Sequence, residues 1–158
     1  MNTFSRRRFL VLIGAGVVAA AGGAIAVHQL TANGQGNTLN FQAVAGLPAK
    51  PLPSYASYVI GGQVNLSNGT GAITKYVYAG PPDRMTTIPL LTRDVRVTAV
   101  QQQGSAWHIT GVVTNQTQLQ KGEDSAFDIR LDPSRNLAQS SFFGSSIVLD
   151  LKKFSTSS

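Results

Sequence analysis

Between residues 58 and 151 the chain repeats a pattern in which apolar and polar residues alternate one by one. A period of two is typical of strands that turn one face to a core and the other to water. In the first segment the predicted core face is Tyr58, Ile60, Gly62, Val64 and Leu66, and the predicted wet face is Val59, Gly61, Gln63 and Asn65. Four later segments repeat the alternation, with core faces at Val95, Val97 and Ala99; Trp107, Ile109, Gly111 and Val113; Phe127, Ile129 and Leu131; Ile147, Leu149 and Leu151.

Turn signals separate these segments. Asn68-Gly69 favours a hairpin between the first segment and "AITKYVYAG", and "QQQGS", "NQTQLQKGED" and "DPSRN" break the later ones. Short strands at regular spacing are typical of an antiparallel sandwich or barrel. The pattern therefore predicts an all-β domain of six or seven strands.

The N-terminus has a different composition. Three arginines at positions 6 to 8 precede the uncharged apolar run 9–27, an arrangement typical of a targeting segment. Ser5, Arg6, Arg7, Phe9 and Leu10 resemble the twin-arginine export motif. This resemblance implies recognition by the twin-arginine (Tat) translocase, and the positive-inside bias places the remaining chain outside the cytoplasmic membrane.

Two fates of this segment stay open. Ala24 and Ala26 form a possible cleavage site, which would release the protein to the periplasmic or extracellular side. The run of about 19 residues is also close to the length that spans a bilayer, so an uncleaved membrane anchor is the alternative. We expect a signal or anchor over 1–27, a polar and then proline-rich tether over 28–53, the β domain over 54–153 and a polar tail over 154–158.

The strand segment around Gly111-Val112-Val113-Thr114-Asn115, with "VTAVQQQGSAWHIT" before it and "FDIRLDPSRN" after it, resembles small bacterial immunoglobulin-like domains of the FxLYD type. The resemblance covers residues 93–151. It implies a single immunoglobulin-like antiparallel β-sandwich, following the N-terminal helix, with no catalytic residues of its own.

Composition narrows the chemistry. The sequence has no cysteine, which excludes disulfides, iron–sulfur clusters and thiolate metal sites. Three of its 13 basic residues lie in the signal, and the other ten are dispersed, so we expect no nucleic-acid partner. His108 is the one histidine within the β domain, and a single imidazole does not make a zinc or copper centre. We therefore predict no metal, no cofactor and no catalytic residues.

The aromatic residues are the candidates for a contact surface. Tyr76 and Tyr78 share one strand face, and a consecutive pair such as Phe142-Phe143 places one ring outward if it lies in a strand. These four are the predicted partner-contact residues. The favoured function is an exported, non-catalytic binding or accessory module for an envelope protein or exported complex. The alternatives are a small hydrolase that uses His108 with a distant serine and aspartate, and an envelope structural or stress protein.

Overall fold

A computed structural model describes residues 37–48 and 55–157, and these form eight strands. A short 3-10 turn, Gln116–Gln118, lies between the fifth and sixth strands. The strands are β1 (Thr38–Pro48), β2 (Tyr55–Asn65), β3 (Thr70–Ala79), β4 (Leu91–Gln103), β5 (Ala106–Val113), β6 (Ala126–Asp132), β7 (Leu137–Phe142) and β8 (Ser145–Ser157). No helix in these ranges has the length and apolar character needed to cross a membrane.

Each strand pairs antiparallel with its neighbour in the sequence, and β1 also pairs with β8, so the sheet closes into a barrel. The prediction of an all-β antiparallel domain is confirmed. The finer prediction of a sandwich of two sheets is wrong, because pairs such as Thr38↔Ser157 join the first strand to the last and leave one continuous sheet. The predicted N-terminal helix lies outside the described residues.

The first strand corrects the predicted tether. Thr38–Pro48 lies within the segment 28–53, yet it pairs along its whole length with β2 and over Thr38–Val44 with β8. Its inward positions are apolar, at Leu39, Phe41, Ala43 and Ala45. The domain therefore begins well before residue 54, because this strand is needed to close the barrel.

The interior holds the predicted core faces of β2, β4, β5, β6 and β8 except for Ala99, with Ile60, Val95, Ile109, Ile129 and Leu149 among the most deeply buried side chains. The register shift after Val97 pairs Val100 with the inward Ile109, so Val100 packs on the core in place of the predicted Ala99. A second departure lies in β2. Val59 is buried on the outer face, where it packs with Val44 and Tyr78 beneath Met85 of the β3–β4 connection. This second cluster covers the outside of β1–β3.

A change of register between β4 and β5 lies beside Gly111. The pairing shifts between Val97 and Ala99, directly after the pair Val97↔Gly111. A Cβ atom at Gly111 would lie 2.6 Å from the carbonyl oxygen of Arg96. The glycine therefore allows the two backbones to approach closely at the bulge.

The two ends of the barrel differ. At one end, which we call the turn end, connections of two to four residues join β2–β3, β4–β5 and β6–β7. At the opposite end, the loop end, lie the β1–β2, β3–β4, β5–β6 and β7–β8 connections, of which the second and third are the long ones. An eight-stranded barrel has an interior that side chains fill, or that holds one small ligand.

Candidate ligand-binding site at the loop end

Lys75 lies inside the barrel. In β3 it follows Ile73 and precedes Val77 on the inward face, and it is only 7% exposed. Its Nζ atom donates a hydrogen bond to the carbonyl oxygen of Ser141, at 3.2 Å. The same atom lies 4.2 Å from the centroid of the Phe142 ring and 5.7 Å from that of Phe127. An ammonium over an aromatic face is stabilised by the ring quadrupole, so the two rings favour the charged form of Lys75.

No carboxylate neutralises this cation directly. All seven acidic side chains of the sequence belong to the described residues. None of them lies within 4.0 Å of Lys75 Nζ, since their ion pairs are with Arg84, Arg93 and Lys152. A buried charge is normally paired, and Lys75 departs from that rule.

The electrostatics of Lys75 follow from this position. Burial is the main cause that lowers the pKa of the Lys75 amine below its ordinary 10.5. The positive charge of Arg93 lowers it further, while Glu123 and Asp128 act in the opposite direction without cancelling the effect of burial. The charged amine is therefore less stable inside the barrel than in water.

A second inward cation, Arg93 in β4, is fully paired. Its Nε and Nη2 atoms donate to the two carboxylate oxygens of Glu123, each at 2.8 Å. Its Nη1 donates to the carbonyl oxygen of Thr92 and its Nη2 to that of Gln118, both at 2.9 Å. The two side chains of this ion pair are 4% and 6% exposed, so the bidentate pair is buried.

This ion pair ties the β5–β6 connection to the barrel. Glu123 and Gln118 both belong to that connection, and Glu123 also accepts the backbone N–H of Gln120 at 3.1 Å. Burial raises the pKa of Glu123, but the hydrogen bonds from Arg93 and Gln120 and the charges of Arg93 and Lys75 outweigh it, so the net pKa is lowered. Glu123 therefore stays ionised, and of the two cations Lys75 is the one without a carboxylate partner.

Above Lys75 the loop end is apolar. Four partly buried side chains, Leu47, Tyr58, Val77 and Leu119, pack on the core there, and we call them the collar. The ring of Tyr58 meets that of Phe142 edge-on, with the centroids 4.7 Å apart. A ligand that reaches the Lys75 amine from this end would therefore pass between apolar side chains.

A depression of about 240 Å³ adjoins the collar at the seam between β1 and β8. The pairing of these two strands ends at Val44↔Asp150, and the depression lies beyond that point, towards the loop end. Two of its lining residues, Ala45 and Leu47, face inward from β1, and a third, Pro82, belongs to the β3–β4 connection. The others lie on the outer face of β1 and β8: Val44, Gly46, Val148, Asp150 and Lys152. Leu47 belongs to both the collar and the depression, whereas Lys75 does not line the depression.

The structure separates the four predicted contact residues. Phe142 is 4% exposed and lies inside the barrel against Lys75, whereas Phe143 is 44% exposed in the β7–β8 turn. Tyr76 and Tyr78 share the outer face of β3, with ring centroids 5.8 Å apart, and both belong to the outer apolar cluster. Burial raises the pKa of both tyrosines. Phe143 is thus the one of the four that is strongly exposed.

The remaining sequence candidates do not join the loop-end site. His108 lies on the outer face of β5, across from Gln101 and Arg130, and no hydrogen bond links its side chain to a serine or aspartate within residues 37–48 and 55–157. In the same ranges no group of three or more His, Asp or Glu side chains could hold a metal ion. The export residues Ser5, Arg6, Arg7, Phe9 and Leu10 and the cleavage residues Ala24 and Ala26 lie outside the described part of the chain.

Sequence reasoning missed Lys75, Arg93 and Glu123. The signal for the first two was present, because "ITKYV" and "LTRDVRV" each place a basic residue in the apolar phase of an alternating strand. Glu123 lies in an irregular connection, and no periodicity could assign it to the interior.

Comparison with known proteins identifies no relative of this chain. No protein-family model matches the chain. Neither a curated protein nor a solved structure is significantly similar to it. The functional interpretation therefore depends on the geometry of the barrel.

Proposed function

We propose that this protein is an exported, non-catalytic binding module that takes a small ligand at the loop end of its barrel. The observation that carries the proposal is Lys75, a buried amine without a carboxylate partner, placed beneath the apolar collar. Keeping such a group costs stability. Binding of a ligand at this point is a physical reason for the group to be there.

The distribution of exposed apolar side chains also supports a binding site at the loop end. Among the described residues, the large exposed apolar side chains include Tyr55 at the start of β2, Ile88 and Leu90 in the β3–β4 connection, and Phe143 in the β7–β8 turn. All four belong to the loop end. Loops on a rigid scaffold are the usual carriers of binding residues, and apolar side chains at the entrance suit a ligand with an apolar part.

The location of this function follows from the export motif, which stays a prediction. The chain enters β1 at the turn end, so a membrane anchor formed by residues 9–27 would be joined to the barrel at the end opposite the loop end. An accessory role towards an envelope protein or exported complex fits that connection. The test is a reporter fusion in which Arg6→Lys and Arg7→Lys together abolish export while Arg8→Lys does not; export that survives the double change would remove the twin-arginine route.

Binding at the loop end is tested by amide chemical-shift mapping on the isotope-labelled exported protein. The probes are small carboxylates, amines, neutral amides, alcohols and sugars, added one class at a time. We expect at least one class to shift amides of Tyr58, Val77, Leu119 and Ser141 selectively. Shifts confined to the turn end, or no saturable shift with any class, would contradict the proposal.

A further inference from the structure

We propose that the ligand is a small monocarboxylate with an apolar body, and that the ammonium of Lys75 binds its carboxylate. The inference rests on the proposed function and names the chemistry of its ligand. In this arrangement the collar, formed by Leu47, Tyr58, Val77 and Leu119, contacts the apolar part.

The charge of the site calls for an anion. Among residues 37–48 and 55–157, two basic side chains and one carboxylate lie inside the loop end, and the carboxylate is bound by Arg93 in a bidentate pair. Lys75 is left with a single positive charge in a desolvated position. An ion that is buried without a partner is strongly disfavoured, and a matching ion from outside removes that penalty.

The hydrogen-bonding capacity of Lys75 leads to the same ligand. An ammonium has three N–H donors, and in the described residues one of them is used, towards the carbonyl oxygen of Ser141. Two donors remain, which suits the two oxygens of a carboxylate. Arg93 does not compete for the ligand, because four of its N–H donors already bind Glu123, Thr92 and Gln118.

The apolar surroundings define the rest of the ligand. The rings of Phe127 and Phe142 flank the amine, and the collar lies between it and the solvent. A single charge matches one lysine, whereas a second carboxylate would be buried among apolar side chains without a partner. The interior of an eight-stranded barrel is filled by side chains or holds one small ligand, so the ligand is small.

The experiment compares octanoate with octanamide, which keeps the chain length but removes the charge. Isothermal titration calorimetry at pH 7 is carried out on the exported protein, on Lys75→Met and on Lys153→Met, which removes an exposed lysine of β8. We expect octanoate to bind the native protein and Lys153→Met equally. Lys75→Met should weaken octanoate binding by about 30-fold or more, as for a buried charge pair that loses one partner.

Octanamide should bind weakly, and equally to all three proteins. Amide spectra of Lys75→Met provide the check that the barrel is intact. If octanoate and octanamide bind native protein with the same affinity at the loop end, the proposed binding module stands and the carboxylate inference falls. If octanoate does not bind, or binds Lys75→Met as well as native protein, the inference is overturned, and other classes that shift loop-end amides would still support the proposed function.

Discussion

The Nζ atom of Lys75 lies 4.2 Å from the centroid of the Phe142 ring and donates to the carbonyl oxygen of Ser141, the residue before it. Strand β7 thus supplies both of the closest contacts of the amine. A cation–π contact in a desolvated site contributes about 2 kcal/mol. The lowered pKa of Lys75 indicates that burial outweighs these contacts, so the free protein carries an electrostatic cost at this position.

Replacing Lys75 by methionine should therefore stabilise the free protein. Methionine keeps the length and packing of the side chain but has no charge to desolvate. We expect the free energy of unfolding at pH 7 to rise by about 1 kcal/mol, measured by urea denaturation. Lys153→Met, at an exposed position, should change it by less than about 0.5 kcal/mol. A loss of stability in Lys75→Met would show that the amine is a structural element of the barrel.

The advantage of Lys75→Met should depend on pH. Because the pKa of the amine is lowered on folding, the unfolded chain binds more protons than the folded one between the folded pKa and about 10.5. The native protein should gain stability relative to Lys75→Met as pH rises through this window. Unfolding curves of the native protein and of Lys75→Met, measured in parallel from pH 7 to 10.5, test this. Subtracting the two free energies of unfolding removes the contribution of the tyrosines, which titrate in the same range in both proteins. A constant difference would mean that Lys75 keeps its ordinary pKa.

Breaking the Arg93–Glu123 pair should be costly. Glu123→Gln leaves the guanidinium buried without a charged partner, and we expect a loss of about 3 kcal/mol in the free energy of unfolding. Lys152→Met, which removes an exposed pair with Asp150, is the matched control and should cost less than about 1 kcal/mol. Amide exchange in residues 114–125 should accelerate in Glu123→Gln alone.

Acid should reproduce part of the stability loss that Glu123→Gln causes. The pKa of Glu123 is lowered below 4.5 in the fold, so its stabilisation is present above that pH and is lost as pH falls through the folded pKa. The difference in stability between the native protein and Glu123→Gln should shrink over this range. A difference that persists unchanged at low pH would show that the carboxylate charge contributes nothing.

A substitution in the β7–β8 turn should raise the stability of the protein. Phe143 and Gly144 are the two central residues and both have positive φ, 49° and 74°. A phenylalanine is unfavourable in this conformation, which two-residue hairpins normally give to Asn-Gly. Phe143→Asn should raise the free energy of unfolding by about 1 kcal/mol, whereas Phe142→Ala in the interior should lower it by about 3 kcal/mol. A destabilised Phe143→Asn would show that the exposed ring packs on the barrel.

The alternation of residues predicted the inward faces of five strands because each has a buried face and a wet one, but it missed the bulge in β4 that turns Val100 inward in place of Ala99. It failed for β1, where Val44 packs on the outer cluster and Gln42 is also buried, so the contrast between faces is lost. It also failed for β7, whose inward face includes Ser140, with its hydroxyl donating to the carbonyl oxygen of Asp128. Closure into a barrel depends on pairs such as Thr38↔Ser157, and no local pattern records such distant pairing.

The site was predictable only in part, for a related reason. Lys75 and Arg93 occupy positions at which the alternation of their strands predicts an inward apolar residue. A basic residue at such a position indicates a charge that faces the interior. Their different roles depend on Glu123, which reaches Arg93 and not Lys75 from an irregular connection. The distinction between a paired and an unpaired buried cation is therefore a property of the folded chain.

The most direct test of the central claim is to follow the side-chain Nζ and Cε resonances of every lysine during a titration with octanoate at pH 7. We predict a saturable shift at Lys75, with Lys121, Lys152 and Lys153 unchanged, because among these four lysines of the described residues only Lys75 is buried and lacks a counter-charge. A Lys75 resonance that stays constant, or that moves no more than those of the exposed lysines, would contradict a carboxylate site in the barrel.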